Sequence, residues 1–284
     1  MNKKLFVGDS NVNIFEYFKK FGAKIMKFSG GPMKGIVNKN ENYIKIINQI
    51  RKSNPTYIYL IFGIVDLNFY YYFKKYKENK KDIFEDIKKY AKEYVKIVSE
   101  LNVRTKYVIG ILPSPIKDKF FRNSLINYKA LSEDMAKSIS ETDISMVCRN
   151  KRTEIINNIL GEECKKYNIN FCNIFPIITT DYKLITLFSL GEFGKYNIHH
   201  RYEYLLIVFI KTCLNFLIKS SDFNIMIGDL KSNFNHYIKR KLYTKVKASD
   251  SMKTSDTVDL IYKKTKFRKK KILKFLKHIG INDA

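Results

Sequence analysis

At 284 residues and 45% hydrophobic content, the chain is long enough to bury a full core and too apolar to remain a disordered polymer. Its 53 Lys and Arg against 27 Asp and Glu leave a net charge of +26, which favours polyanions and anionic surfaces as partners. The four cysteines, Cys148, Cys164, Cys172 and Cys213, make no Cys-x-x-Cys and no Cys/His spacing suited to zinc, so they are expected as reduced thiols, with no metal or cofactor.

The chain opens on a short apolar run, Leu5-Phe6-Val7, that reads as a buried strand and ends in Gly8-Asp9-Ser10. Apolar residues at helical spacing follow over 14–21, which places Ser10 on a strand-to-helix turn. In an open α/β sheet that turn lies at the ligand-binding edge, and the N–H groups opening the helix favour negative charge there. A nucleophilic serine needs that position; a Gly-Asp-Ser turn that only caps a helix fits the same three residues.

A second short strand is expected over 24–28, followed by a loop with three glycines, Gly30, Gly31 and Gly35. Gly30 and Gly35 have the spacing of a phosphate loop, but Ile36 and Val37 stand where Lys and Ser or Thr are required, and no Gly-x-Gly-x-x-Gly occurs. The loop therefore reads as backbone that approaches a ligand and offers an N–H to it, from Gly35 or alternatively from Gly31.

Helical spacing over 43–50 ends at Ser53-Asn54-Pro55. Residues 57–62 form a nearly continuous apolar run, as expected of a central parallel strand, with Gly63 at its end and Asp66 beyond, in the ligand-facing region or capping the next turn. Five aromatics in a row, 69–73, read as core packing or as a platform against which sugar rings could stack. A long amphipathic helix is expected over 82–101, a fourth strand over 106–112 broken by Pro113-Ser114-Pro115, a polar excursion with some helix over 117–145, a helix over 151–167 and a fifth strand over 170–175. A loop-like stretch leads to Asn197-Ile198-His199-His200, and an apolar helix over 202–218 closes the domain. That last run is too short and too interrupted for a membrane span. The alternation predicts a three-layer α/β/α fold around a doubly wound, mostly parallel five-stranded sheet.

Residues 1–219 are thus expected as one domain and 220–284 as a linker and a basic, partly helical extension. In residues 231–284, 16 Lys and Arg face 4 Asp, a net positive charge per residue several-fold above that of the rest of the chain. A helix over 266–279 would carry Ile272, Phe275, Leu276 and Ile279 on one face. It suits a solvated helix packed on the domain, or attachment to an anionic membrane surface or polyanion. Nucleic acid comes last, because no recognised motif for it accompanies the charge. Three apolar residues before Gly8 are too few for a signal peptide, so a cytoplasmic location is expected, membrane-peripheral if the tail binds lipid.

In order along the chain, Gly8-Asp9-Ser10, the glycine loop 29–35, Gly63-Ile64-Val65-Asp66 and Asn197-Ile198-His199-His200 resemble the four sequence blocks of the SGNH (GDSL-like) hydrolases. The stretch 62–72 further resembles a divergent branch found with glycan-modifying genes. The resemblance covers residues 1–218 and departs at two positions: Val65 stands where the family has Asn, and Asn197 where it has Asp. It implies the SGNH variant of a flavodoxin-like sheet and a serine esterase that forms an acyl-enzyme. Ser10 would be the nucleophile and His200, or alternatively His199, the base; Asp9 and Asn197 would lie in the catalytic blocks. The oxyanion and substrate would meet Gly35 or Gly31, Gly63, Asp66 and Asn68. The substrate implied is an O-acylated, above all O-acetylated, glycan. An acyltransferase on the same substrates and a degenerate domain that binds glycan or a partner without turnover remain as alternatives.

Overall fold

In a computed structural model of the chain, residues 3–185, 188, 200 and 202–214 are described. The expectations for Asn197 and His199, for the linker and for the basic tail lie outside them. The chain divides into a unit of residues 1–213 and a second of 214–284, and every described strand and helix belongs to the first.

Five parallel strands, β1 (Lys4–Gly8), β2 (Lys24–Lys27), β3 (Tyr57–Ile61), β4 (Thr105–Ile109) and β5 (Asn170–Cys172), lie in the order β2-β1-β3-β4-β5. This is a doubly wound order whose direction reverses at β1/β3, where ligands gather beyond the carboxyl ends of the strands. Leu5, Phe6 and Val7 are fully buried. Phe6 pairs in register with Tyr59 and Tyr59 with Tyr107, so three aromatic rings form a row across β1, β3 and β4, at 4.4 and 4.7 Å between neighbouring centroids. The helix after β1 (Ser10–Phe21, of 3₁₀ type) covers that row with Phe15 and Phe18, and α9 (Tyr202–Thr212) packs on the same side through Phe209 against Phe15.

The other layer is built from α1 (Met33–Val37), α2 (Glu41–Ser53), α3 (Ile83–Ser99) and α7 (Met146–Lys166). Between β4 and α7 the polar excursion contains three short helices, α4 (Asp118–Asn127), α5 (Glu133–Ser138) and α6 (Glu141–Ile144). After β5 come α8 (Phe175–Ile178) and a two-stranded antiparallel ribbon, β6 (Thr179–Thr180) and β7 (Lys183–Leu184). Among the described residues no helix is long and apolar enough to cross a membrane.

Of the boundaries that differ from the sequence expectation, among them α7, which starts at Met146 ahead of residue 151, three have a clear local reason. The first helix starts at Ser10, ahead of its apolar face, because the Asp9 carboxylate caps it by accepting the Asn11 N–H at 2.8 Å. Strand β4 stops at Ile109 because the Asn157 side chain takes over both backbone groups of Ile111. Strand β5 stops at Cys172 because Asn173 Oδ1 accepts the Phe175 N–H and Pro176 opens the next helical turn.

Two glycines are required where the strands meet the site. A Cβ on Gly8 would lie 2.4 Å from the Ile61 carbonyl oxygen, a backbone atom that cannot step aside. Gly63 sits at φ +116°, and a Cβ there would lie 2.4 Å from Ile111 Cδ1. Strain and overpacking each cost of order 1–3 kcal/mol, so Gly63→Ala is expected to lower the unfolding free energy by about 3 kcal/mol in urea titrations. A loss below about 0.5 kcal/mol would show that the turn can adopt a side-chain-tolerant conformation.

Candidate active site

Ser10 stands half-buried at the C-terminal end of β1, where the chain leaves the sheet for the first helix. Asp9 fixes this turn: its N–H donates to Ile61 O on β3 at 3.1 Å, and its carboxylate accepts the N–H of Asn11 at 2.8 Å and the Asn11 side-chain N–H at 3.1 Å. Among the described residues the Ser10 hydroxyl makes no hydrogen bond, and no acceptor takes the Ser10 N–H. Both groups sit at the N-terminus of the helix, where backbone partial charge favours an anion.

His200 and Tyr202 lie at the same edge. The Tyr202 hydroxyl, in the first turn of α9, donates to the Ser10 carbonyl oxygen at 3.2 Å across 192 positions of sequence. Two residues earlier, His200 is buried, with Nε2 2.8 Å from the Pro113 carbonyl oxygen beyond the end of β4. A carbonyl only accepts, so Nε2 carries the hydrogen and the basic nitrogen of neutral His200 is Nδ1. The acceptor of the Nε2 hydrogen is thus a backbone carbonyl. Ser10 and His200 share no hydrogen bond, and the ends of β1 and β4 lie two strands, roughly 10 Å, apart.

The glycine loop is arranged differently from the expectation. The Gly35 N–H donates to Pro32 O at 3.0 Å and the Gly31 N–H to Phe28 O at 2.9 Å, so both amides expected as oxyanion donors are engaged within their own turns. The next free donors, the N–H groups of Met33 and Lys34 at the start of α1, are taken by Asp66, at 2.7 Å to Oδ2 and 3.3 Å to Oδ1. Asp66 therefore caps the glycine-loop helix 33 residues upstream, and its carboxylate is not free to meet substrate. Asn68 is buried, and one of its two Nδ2 hydrogens is donated to Ile64 O at 3.0 Å. Gly63 acts through its backbone turn.

Asp9 and Asp66 are both fully buried and lie close enough to repel one another. Burial pushes the Asp9 carboxyl up to about 7; the two Asn11 hydrogen bonds oppose this and the Asp66 charge adds to it. Burial likewise lifts Asp66 to about 6, against the stabilising N–H groups of Met33 and Lys34. Tyr94, buried near both acids, has its hydroxyl pKa raised first by burial and then by nearby acidic groups, Cys164, Asp9 and Asp66.

The aromatic run is mainly core. Tyr71 and Tyr72 are buried; the Tyr72 hydroxyl donates to Asp143 O at 2.6 Å and accepts from Arg152. Tyr70 accepts a hydrogen bond from Lys34 Nζ at 2.7 Å. Phe69 is buried as well, and packs on Tyr128 with centroids 4.5 Å apart; Tyr128 itself is 45% exposed. Tyr128 also lies near Tyr202, whose hydroxyl pKa is raised by burial first and by Asp9 and Tyr128 beside it.

Sequence reasoning missed Pro113 as the partner of His200, and Tyr202 as the link to Ser10. It also missed the polar face of α7, where Arg149, Asn150, Arg152, Thr153 and Asn157 are all buried. The spacing of Asn150 and Asn157, two turns apart, was the available signal.

No family model matches the sequence, and no curated protein matches it. Solved structures similar to it include a GDSL-like lipase from Bacteroides thetaiotaomicron, with TM-score 0.46 and 12% identity over 76% of this chain and 89% of that one. A gut microbial diltiazem-metabolizing enzyme aligns with TM-score 0.48 and 15% identity over 74% and 46%. An acetyl-xylooligosaccharide esterase from Geobacillus aligns with TM-score 0.44 and 10% identity over 74% and 93%.

Proposed function

We propose that the chain is an ester hydrolase of SGNH type in which Ser10 is the nucleophile. The observation that carries this reading is the hydrogen bond from Tyr202, two residues after the last of the four sequence blocks, to the carbonyl of Ser10 in the first. In the proposed reaction the Ser10 hydroxyl oxygen bonds to the ester carbonyl carbon, and its proton passes to His200 Nδ1. The oxyanion meets the Ser10 N–H at the helix N-terminus. The alkoxide leaves with the proton from His200, and water, deprotonated by the same nitrogen, releases the acyl group from Ser10. Catalytic hydrogen bonds of this kind tighten when substrate binds. With the amides of Gly31 and Gly35 engaged and Val65 unable to donate, the site works with fewer oxyanion donors than the family pattern. Each missing donor costs on the order of 10²–10³ in rate, so turnover should be slow.

The test is covalent: a fluorophosphonate should label the protein, with the adduct on Ser10 by peptide mass spectrometry. Absence of an adduct at high reagent would favour the second reading, a domain that binds without turnover. The engaged amides of Gly31 and Gly35 are what favour that alternative.

The substrate class we infer is an O-acylated sugar, supported by the exposed Tyr128, which rests on buried Phe69 near Tyr202, since an aromatic ring at the surface suits a pyranose. Stacking of this kind is worth about 1 kcal/mol. Tyr128→Ala is therefore expected to raise KM for an acetylated oligosaccharide several-fold while leaving KM for a small aryl acetate unchanged. Equal effects on both would remove the pair from sugar recognition.

A further inference from the structure

The stretch that holds His200 cannot hold itself. Leu112-Pro113-Ser114-Pro115 contains two prolines, which have no N–H, and it lies past the end of β4, beyond the ladder. The buried face of α7 instead holds its Ser114 N–H and the backbone groups of Ile111 and Ile116 on either side of it. Asn157 Oδ1 accepts the Ile111 N–H at 2.7 Å and Asn157 Nδ2 donates to Ile111 O at 2.9 Å, as a neighbouring strand would. Asn150 Oδ1 accepts the Ser114 N–H at 2.7 Å, and its Nδ2 donates to Tyr182 O at 2.7 Å. Arg149 donates to Ser114 Oγ, to Ile116 O at 2.6 Å and to Ile144 O at 2.9 Å, and pairs with Asp118 at 3.0 Å.

These three side chains are almost wholly removed from water. Burying two amides and a guanidinium is unfavourable unless their polar atoms are matched, and here several of those matches fall on residues 111–116. The carbonyl in the middle of this clamp, that of Pro113, takes His200 Nε2–H.

We propose that Asn150, Asn157 and Arg149 are positioning residues for His200: by fixing the Pro113 carbonyl they fix the Nε2–H tautomer and leave Nδ1 as the basic nitrogen. Their catalytic consequence rests on the esterase reading, whereas their effect on the His200 tautomer does not. The α7 side chains touch neither substrate nor Ser10; they act through the loop.

The experiment uses the full chain with ¹⁵N-labelled histidine, His200 being assigned by its loss in His200→Gln. In the wild type above the imidazole titration range, His200 is expected as the Nε2–H tautomer. A predominant Nδ1–H tautomer would overturn the proposal. Asn150→Ala leaves the Ser114 N–H without its acceptor, so the Pro113 carbonyl should shift and the ¹⁵N signals should move toward a mixture of tautomers. On an aryl acetate, kcat should fall about tenfold with KM within about twofold of wild type, as expected for a misplaced base. A folded Asn150→Ala protein with wild-type His200 signals would show a purely structural role and overturn the proposal. Should Asn150→Ala not fold, Ser114→Ala removes only the hydroxyl held by Arg149. It should move the same signals in the same direction by less, and unchanged signals there would equally overturn it. A wild type inert toward every ester would sink the esterase reading while leaving the tautomer measurement to decide the positioning.

Discussion

Ser10→Ala is expected to keep the stability of the wild type and to lose ester turnover. The hydroxyl makes no hydrogen bond among the described residues, so removing it from a half-buried turn should change the unfolding free energy by no more than about 0.5 kcal/mol. Turnover of an aryl acetate or an acetylated sugar should fall by roughly 10³ or more, to the buffer rate, because no other hydroxyl stands in the first turn of the helix, Ser10-Asn11-Val12-Asn13. His200→Gln should give nearly the same loss and should not add to it, since nucleophile and base act as one unit. Asn197→Asp is the gain-of-function companion: a carboxylate at that position should raise turnover if the family arrangement is latent in the chain. Equal, near-background rates in wild type and Ser10→Ala across several acyl donors would remove the enzyme reading, and glycan binding retained in both would establish the binding domain in its place.

The second large effect concerns the floor of the site. Asp9 and Asp66 are buried with no cation bonded to either carboxylate among the described residues, and their carboxyls are pushed up to about 7 and about 6. A carboxyl whose native pKa exceeds its unfolded value binds its proton more tightly in the folded state. The stability it contributes is therefore present at low pH and lost as pH rises from about 4, the unfolded value, through about 7 for Asp9 and about 6 for Asp66.

Asp9→Asn removes the first of these titrations and keeps the cap, because an asparagine oxygen still accepts the Asn11 N–H. The variant should match the wild type near pH 4 and exceed it at pH 8 by on the order of 3–4 kcal/mol, with a shallower dependence of stability on pH between. Urea titrations at a series of pH values measure this directly. Parallel pH profiles for the two proteins would mean that Asp9 stays ionised in the fold and is stabilised by solvent or by a group outside the described residues.

Much of the domain was legible because its signals are local. The run Leu5-Phe6-Val7 ending in glycine, the apolar stretch before Gly63 and the amphipathic pattern of α3 each state an element within a few residues of sequence. Their alternation limits the fold to a doubly wound sheet. The capping role of Asp9 is equally local, two residues from the N–H it accepts.

The candidate site was legible as residue types and misread as hydrogen bonds. Gly35 and Gly31 were expected to offer their amides, yet each donates back into its own turn. Asp66 is expected from sequence to face the ligand or to cap the turn after it, yet it serves a helix 33 residues away, because parallel pairing of β1 with both β2 and β3 brings the two following loops together. The same holds for the prolines after β4, read only as a strand break.

By itself, then, the sequence determined the strand-to-helix turns and the residues standing on them, since backbone preference and burial pattern act over a few positions. Tertiary structure alone decided which buried donor meets which acceptor: Met33 and Lys34 with Asp66, Ile111 and Ser114 with α7, His200 with Pro113. A buried polar group must find a partner wherever the packing places one, and that partner lies at a sequence separation no local pattern records.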